Sequence, residues 1–115
     1  MASAHEVRKQ LAEPARRLHC DVPEVIDSFA AMSQAVLKDG ALTGKVKELI
    51  ALAIAATKQC DGCIAAHALG AARQQATEEE VAEALGVVVM MNGGPGTVWG
   101  PRALAAYVEF HEGAA

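Results

Sequence analysis

Alanine dominates this chain, and its abundance limits the folds that the chain can adopt. There are 25 alanines among the 115 residues but only four aromatic side chains. Alanine is the strongest helix former, whereas strands favour β-branched and aromatic residues. The sequence therefore predicts an all-α fold.

Length and charge narrow the class of protein further. A chain of 115 residues suits a single domain, so we expect residues 1–115 to form one compact unit. Its 52% hydrophobic content disfavours disorder, and its net charge of -4 disfavours a nucleic-acid partner. The first ten residues lack the apolar segment of a secretory signal, and the longest uncharged stretch, Ala84–Pro101, is broken by glycine and proline. We therefore expect a cytoplasmic protein without a membrane span.

Apolar spacing and helix-end signals divide the domain into five or six helices. Pro14 is expected to interrupt the first helix and Gly40 to end the second as a left-handed cap. The eight apolar residues of Leu49–Ala56 would place apolar side chains on every side of the third helix, which predicts burial all round. Thr77 opens a capping box, and Gly93–Gly96 is expected to break the chain before the last helix.

The same composition indicates assembly. A domain of this size buries roughly two-thirds of its unfolded surface, and each alanine contributes little apolar area. Alanine-rich helices compensate by packing closely or by burying further faces against other subunits. We therefore expect a homo-oligomer.

The residues that carry chemistry lie in the segment Cys60–His67. His67 follows Cys63 by four positions in the sequence, so the two share one face of a helix. Asp61 and Gly62 place Cys63 in the first helical turn, where unpaired backbone N–H groups stabilise a thiolate, the nucleophilic form of cysteine. The spacing of Cys60 and Cys63 also permits a disulfide. The segment thus offers a nucleophile, a second thiol to resolve it and a nearby base.

Glu48 is a carboxylate among apolar neighbours, because it lies beside Ala51, Leu52 and Ala55 on the third helix. A buried charge needs a partner, and His67 is the natural candidate. In a simple antiparallel pair, however, Glu48 would lie about 15 Å from the connecting turn and His67 only about 6 Å. The two residues meet only if the helices cross steeply, if the third helix ends early, or if Glu48 reaches another subunit.

Other interpretations of these residues stay open. Cys60, Cys63 and His67, with Glu48 as a fourth ligand, have ligand types suited to zinc, although their spacing does not match common zinc motifs. Cys20 is expected to be an inert, partly buried thiol. A substrate pocket is expected to be apolar, with Ile64, Leu52 and Met90–Met91 as its candidate neighbourhood.

The chain resembles a known family from about Phe29 to Pro95. Glu48, eleven intervening residues, Cys60-x-x-Cys63 and then His67 are similar to the motif of the alkylhydroperoxidase D-like branch of the carboxymuconolactone decarboxylase family. The surrounding segments agree with that branch: Lys47-Glu48-Leu49-Ile50, Ala65-Ala66-His67, Thr77-Glu78-Glu79-Glu80 and Gly93-Gly94-Pro95.

This resemblance implies an all-helical protein that assembles into trimers or hexamers and reduces a small hydroperoxide without flavin, haem or metal. In that branch the counterpart of Cys63 attacks the peroxide, that of Cys60 resolves, and those of Glu48 and His67 relay a proton. A dithiol protein, lipoyl or thioredoxin-like, would restore the pair. One departure is Gly62, where well-studied members carry a second histidine, so the relay here is simpler. The alternatives are a cofactor-free decarboxylase or lactone-handling enzyme of the same fold, or a structural or zinc-binding helical oligomer.

Overall fold

The structure, a computed structural model, describes residues 2–113 and folds that range into six helices and no strand. The helices are α1 (Ala4–Asp21), α2 (Pro23–Leu37), α3 (Gly44–Thr57), α4 (Asp61–Arg73), α5 (Glu78–Asn92) and α6 (Gly94–Gly113). Within residues 2–113, none of these helices has the length and apolar content that crossing a membrane requires. The predicted all-α fold of five to six helices is confirmed.

The core forms around α4, which packs against α1, α3 and α6. The α4 side chains at this centre are alanines, and Ala65, Ala68 and Ala71 have no exposed surface. Because the distance between packed helices depends on the side chains at their contact, alanines allow α4 to approach its neighbours closely. The alanine content thus defines how the core is built as well as which elements form it.

Tyr107 of α6 is the largest side chain that is fully buried. Its hydroxyl donates a hydrogen bond to the carbonyl of Ala76, which precedes α5. Burial, assisted by the negative charges of Glu78 and Glu80, raises the pKa of Tyr107, so the hydroxyl remains a donor at neutral pH. This bond fixes the start of α5 to α6.

Two predicted helix boundaries are wrong. Pro14 lies inside α1, which continues to Asp21. The residues around Pro14 are exposed, so water can satisfy the carbonyl that loses its helical hydrogen bond. Gly40 is not a left-handed cap, because α2 already ends at Leu37, followed by an extended Lys38.

The predicted break at Gly93–Gly96 is confined to Gly93. This residue has φ +67 and caps α5, its N–H bonding the carbonyl of Val89. Gly94 and Pro95 already belong to the first turn of α6, a position that suits proline. At Gly96 a Cβ would lie 2.8 Å from the Val88 carbonyl oxygen, so α6 passes there directly against α5.

The apolar run of α3 is not buried all round. Leu52, Ala55 and Ala56 face the core, whereas Ile50 is 46% exposed and Ile54 50% exposed. The helix that would cover them is α2, but none of the residues of α2, all of which the structure describes, is buried. The second apolar side of α3 therefore faces outward in the single chain.

The start of α5 provides a test of the fold. The Thr77 side chain accepts a hydrogen bond of 3.1 Å from the Glu80 N–H, and the Glu80 carboxylate accepts one of 2.8 Å from the Thr77 N–H. Replacing Thr77 by alanine removes the first of these bonds, and we expect a loss of about 1 kcal/mol in the free energy of unfolding. Urea denaturation measures it, with Thr77→Ser, which keeps the hydroxyl, as the control. An unchanged midpoint for Thr77→Ala would contradict the role of this cap.

Candidate active site

The two cysteines of the Cys60–Cys63 motif lie at the first turn of α4 and are joined by a disulfide. Cys60 is the N-cap residue, and its Sγ accepts a hydrogen bond of 3.3 Å from the Cys63 N–H. Their Cα atoms are 5.3 Å apart, within the range that a disulfide requires. Cys60 is half-buried and Cys63 is exposed, so Cys63 is the sulfur that an incoming molecule reaches more easily.

Glu48 projects from the buried face of α3, between the core residues of that helix and α4. Only 7% of its surface is exposed, and among residues 2–112 it is the one buried side chain that is polar or charged. An ionised carboxylate in such a place is costly unless it is paired and hydrogen-bonded. The position of Glu48 therefore demands a partner.

That partner is His67 of α4. The Nδ1 atom of the imidazole lies 2.8 Å from Oε1 of Glu48. An ionised carboxylate only accepts hydrogen bonds, so Nδ1 is the donor, and in the neutral ring the lone pair is on Nε2. The His67 side chain is 32% exposed. The contact therefore defines the tautomer of the neutral ring and leaves the imidazole partly accessible.

The two residues meet within one chain, and α3 does not end early. Glu48 lies nine residues before Thr57, the last residue of α3. Gly70 lies nine residues after Asp61, the first residue of α4. Because the two helices are consecutive and pack against each other, Glu48 is level with Gly70. The carboxylate bonds to His67, which lies about one turn nearer the connection.

The disulfide and the carboxylate–imidazole pair are neighbours along α4. His67 follows Cys63 by four residues, the spacing at which helical side chains share a face. In the disulfide form that residues 2–113 describe, no direct hydrogen bond joins the His67 ring to either sulfur. The structure thus arranges the four predicted residues as two bonded pairs: the disulfide at the start of α4, and His67 of the next turn bonded to Glu48 of α3.

An open groove of about 480 Å³ lies beside His67. Its walls come from α2 and α3: Met32, Ser33, Val36, Leu37, Lys47, Ile50, Ala51 and Ile54. None of the expected neighbours lines this groove: Leu52 is buried in the core, Ile64 lines a different hollow beside Asp61, and Met91 lines a third at the end of α5. The groove is apolar, as expected, but it belongs to the outward side of α3.

A residue of α1 lies next to the place where a side chain at Gly62 would begin. A Cβ at Gly62 would lie 3.1 Å from Cδ1 of Leu11, so α1 crosses close to the start of α4. The space into which a larger residue at position 62 would extend is therefore occupied by Leu11. Local sequence patterns rarely predict a contact between residues that are far apart in the chain, and no pattern pointed to Leu11.

The structure also shows how the candidate metal ligands and the third cysteine, Cys20, are placed. Within residues 2–113, with Cys60 and Cys63 joined in a disulfide, no group of three or more His, Cys, Asp or Glu side chains is arranged to hold a metal ion. Cys20 is a free and exposed thiol rather than a partly buried one. Its exposure makes it a competing thiol in any experiment on Cys60 and Cys63.

The fold and the site together define an all-helical domain in which a disulfide-forming pair opens one helix and a carboxylate–imidazole pair joins that helix to the one before it. The sequence matches the Carboxymuconolactone decarboxylase family over residues 23–107. An uncharacterized protein of Cupriavidus necator is 41% identical over 85 residues, covering 74% of this chain and 75% of that protein. Uncharacterized protein 4 in the cox locus of Paracoccus denitrificans is 42% identical over 83 residues, 72% of this chain and 75% of that one.

A solved structure agrees with these relatives. The crystal structure of an apo carboxymuconolactone decarboxylase family protein from Legionella pneumophila has a TM-score of 0.90 and 41% identity, covering 94% of this chain and 96% of that chain. This chain belongs to the carboxymuconolactone decarboxylase family.

The pairing of Glu48 with His67 has a measurable consequence for the thiol. If the carboxylate stabilises the imidazolium that forms when His67 takes a proton from Cys63, Glu48→Gln removes that stabilisation. We expect the midpoint of the alkylation–pH profile of reduced protein to move up by about one pH unit. Iodoacetamide labelling in a Cys20→Ser background measures it. Glu83→Gln, which removes an exposed carboxylate on α5, is the matched control; a profile of Glu48→Gln that overlays this control would remove Glu48 from the relay.

Proposed function

We propose that this protein is a thiol-dependent peroxide reductase of the alkylhydroperoxidase D-like branch of its family. One observation carries the proposal: a disulfide-bonded pair, Cys60 and Cys63, opens a helix one turn before an imidazole that a buried carboxylate holds by Nδ1. The disulfide is the oxidised product expected from such a cycle. The chain thus has one reactive sulfur, one resolving sulfur and one oriented base.

The first step begins with the reduced pair. His67 accepts the proton of the Cys63 thiol at Nε2, directly or through water, and Glu48 stabilises the resulting imidazolium. The thiolate attacks the terminal oxygen of the hydroperoxide, so an S–O bond forms as the O–O bond breaks. Two electrons pass from sulfur to peroxide, and the leaving alkoxide or hydroxide takes the proton from His67. The products are a Cys63 sulfenic acid and an alcohol or water.

The second step restores the disulfide. The Cys60 thiol attacks the sulfenic sulfur, the S–O bond breaks, and the oxygen leaves as water with one proton from each group. An external dithiol, of the lipoyl or thioredoxin type, then reduces the disulfide by exchange and becomes oxidised itself. Such reductants keep thiols reduced in the cytoplasm, the compartment that we propose for this protein.

The groove beside His67 supports a hydroperoxide with an apolar substituent. In the single chain Met32 and Ile54 on its walls are 56% and 50% exposed, so an alkyl or aryl group can contact them. The subunit contact proposed below would close the groove over that group. Burial of apolar surface contributes roughly 25 cal/mol per Å². An organic hydroperoxide therefore gains binding energy there that hydrogen peroxide does not.

Counting thiols tests the proposal. In a Cys20→Ser background, one equivalent of cumene hydroperoxide should remove both remaining thiols of the reduced protein. Cys63→Ser in the same background should keep its single thiol, and Cys60→Ser should form a sulfenic acid that dimedone traps. Loss of the single Cys60 thiol from Cys63→Ser as fast as the parent loses its thiols would show that Cys63 is not the nucleophile.

A second candidate function uses the same base without the cysteines. His67 lines the groove, whereas neither sulfur does, which favours acid–base work by Glu48 and His67 on a ligand bound there. A cofactor-free decarboxylase or lactone-handling enzyme would work in this way. If a Cys60→Ser/Cys63→Ser protein keeps its catalytic activity, that result would favour the decarboxylase or lactone-handling enzyme over peroxide reduction. About one tightly held zinc ion per chain would instead favour the zinc-binding oligomer.

We also propose that the protein assembles into a trimer or hexamer through an outward apolar face, defined here as Phe29, Met32, Val36, Ile50 and Ile54. Each of these side chains is 46% to 63% exposed in the single chain. Monomeric proteins rarely expose a large contiguous apolar patch, and subunit contacts are the common use of one. A second copy of the chain is the occupant that the alanine-rich core, with its limited buried area, calls for.

A charge on the outward apolar face should break this assembly. Phe29 is 63% exposed, and Phe29→Glu places a carboxylate where the contact is expected. We expect the molar mass in light scattering after size exclusion to fall toward that of one chain. Gln34→Glu introduces the same charge on the opposite side of α2 and should leave the mass unchanged. A monomeric parent protein, or equal masses for the two variants, would contradict the proposed interface.

A further inference from the structure

Gly70 is an unusual residue for its place in the chain. It lies in the interior of α4, surrounded along the sequence by alanines such as Ala68 and Ala71. Glycine is less favourable than alanine inside a helix, because it loses more backbone freedom on folding. Its φ lies outside the left-handed range, so the backbone does not require glycine. The reason for a glycine must lie in what surrounds it.

What surrounds it is the carboxylate of Glu48. A Cβ placed on Gly70 would lie 1.3 Å from Oε2 and 2.4 Å from Cδ of Glu48, and 3.2 Å from Oε1, the oxygen that accepts from His67. The carboxylate thus occupies the volume that any other side chain at this position would fill. Gly86 of α5 provides the contrast, because a Cβ there would meet nothing within 4 Å.

The Glu48 side chain has little solvent beside it into which it could move. It is 10% exposed, and Leu52 on its own helix and Ala68 on α4 are fully buried. A methyl group at position 70 would therefore displace the carboxylate from the place where it meets His67. The displacement would also leave a buried charge without its hydrogen bond.

We propose that Gly70 is a positioning residue whose missing side chain forms the space that holds the Glu48 carboxylate against Nδ1 of His67. This inference rests on the proposed function only in giving the Glu48–His67 pair a catalytic use. One face of α4 then carries three parts of the site at the spacing of successive helical turns: the nucleophile Cys63, the base His67 and the space for the acid at Gly70. Gly70 acts through Glu48 and does not itself contact the reacting atoms.

Stability measurements test the steric part without reference to activity. Gly70→Ala should lower the urea midpoint of the otherwise unchanged protein, because the methyl group and the carboxylate compete for one space. In a Glu48→Ala background, the same change should raise the midpoint, because the space is empty and alanine favours the helix. Gly86→Ala is the matched control and should raise the midpoint in both backgrounds. Equal effects of Gly70→Ala in the two backgrounds would overturn the proposal.

The tautomer of His67 tests the positioning part. In ¹⁵N spectra recorded at a pH where the His67 ring is neutral, the parent protein should show a protonated Nδ1 and an unprotonated Nε2. Gly70→Ala should shift these resonances toward those of Glu48→Gln, whereas Gly86→Ala should leave them in place. Parent-like resonances in a folded Gly70→Ala protein would contradict the inference.

Peroxide-driven loss of the Cys60 and Cys63 thiols separates this inference from the proposed function. In a Cys20→Ser background, Gly70→Ala should slow that loss roughly 10- to 100-fold relative to Gly86→Ala. A parent protein that does not react with peroxide would refute the reductase and leave the stability and tautomer tests of Gly70 standing. A reactive parent with an equally reactive Gly70→Ala would refute the positioning role alone.

Discussion

The burial of one carboxylate is the constraint on which the rest of this structure depends. Glu48 projects into the contact between α3 and α4, and its hydrogen bond to His67 compensates the loss of water. Sliding one helix past the other would separate the two groups and leave the charge buried and unpaired. A purely hydrophobic contact between alanine-rich helices would tolerate such a shift more easily, since the shift would replace one alanine contact by another of similar size. The hydrogen bond between Glu48 and His67 therefore fixes the register that the apolar residues leave loosely specified.

The small alanine side chains that let the core helices pack closely also explain why larger apolar side chains remain on the surface of the single chain. The fully buried side chains of α4 are small, so each adds little buried area even though the helices pack tightly. The larger apolar residues of α2 and of the second side of α3 remain exposed around the groove. Close packing at the centre and an uncovered apolar face are thus two results of the same composition.

Local signals in the sequence were sufficient for most of the helices and for the members of the site. The capping box at Thr77, the placement of Cys63 in the first turn of a helix and the spacing of Cys63 and His67 all depend on neighbours within a few residues, and the structure has each of them. Pro14 was misleading because its cost depends on whether water reaches the freed carbonyl, which is a property of the folded surface. The exposure of Ile50 was missed for a similar reason, since it depends on where α2 lies.

Contacts between helices were the part that sequence patterns could not supply. A simple antiparallel pair of helices places Glu48 and His67 at different distances from the turn between α3 and α4. The structure has this offset, because Glu48 is level with Gly70. The glutamate side chain crosses this offset only because position 70 carries no side chain. A glycine in an alanine-rich helix, three residues after a histidine, was a visible signal of this arrangement, but its meaning depends on knowing which residue lies opposite.

The position of the site at the edge of the core has a chemical consequence. His67 contacts the buried Glu48 on one side and the open groove on the other, so its environment is only partly dry. Covering the groove with a second chain would remove water from the imidazole without altering the contact to Glu48. Electrostatic interactions strengthen as water is excluded, so the same carboxylate would then stabilise a protonated ring more strongly. In the proposed assembly the single chain would supply the geometry of the proposed proton relay, and the subunit contact would set its strength.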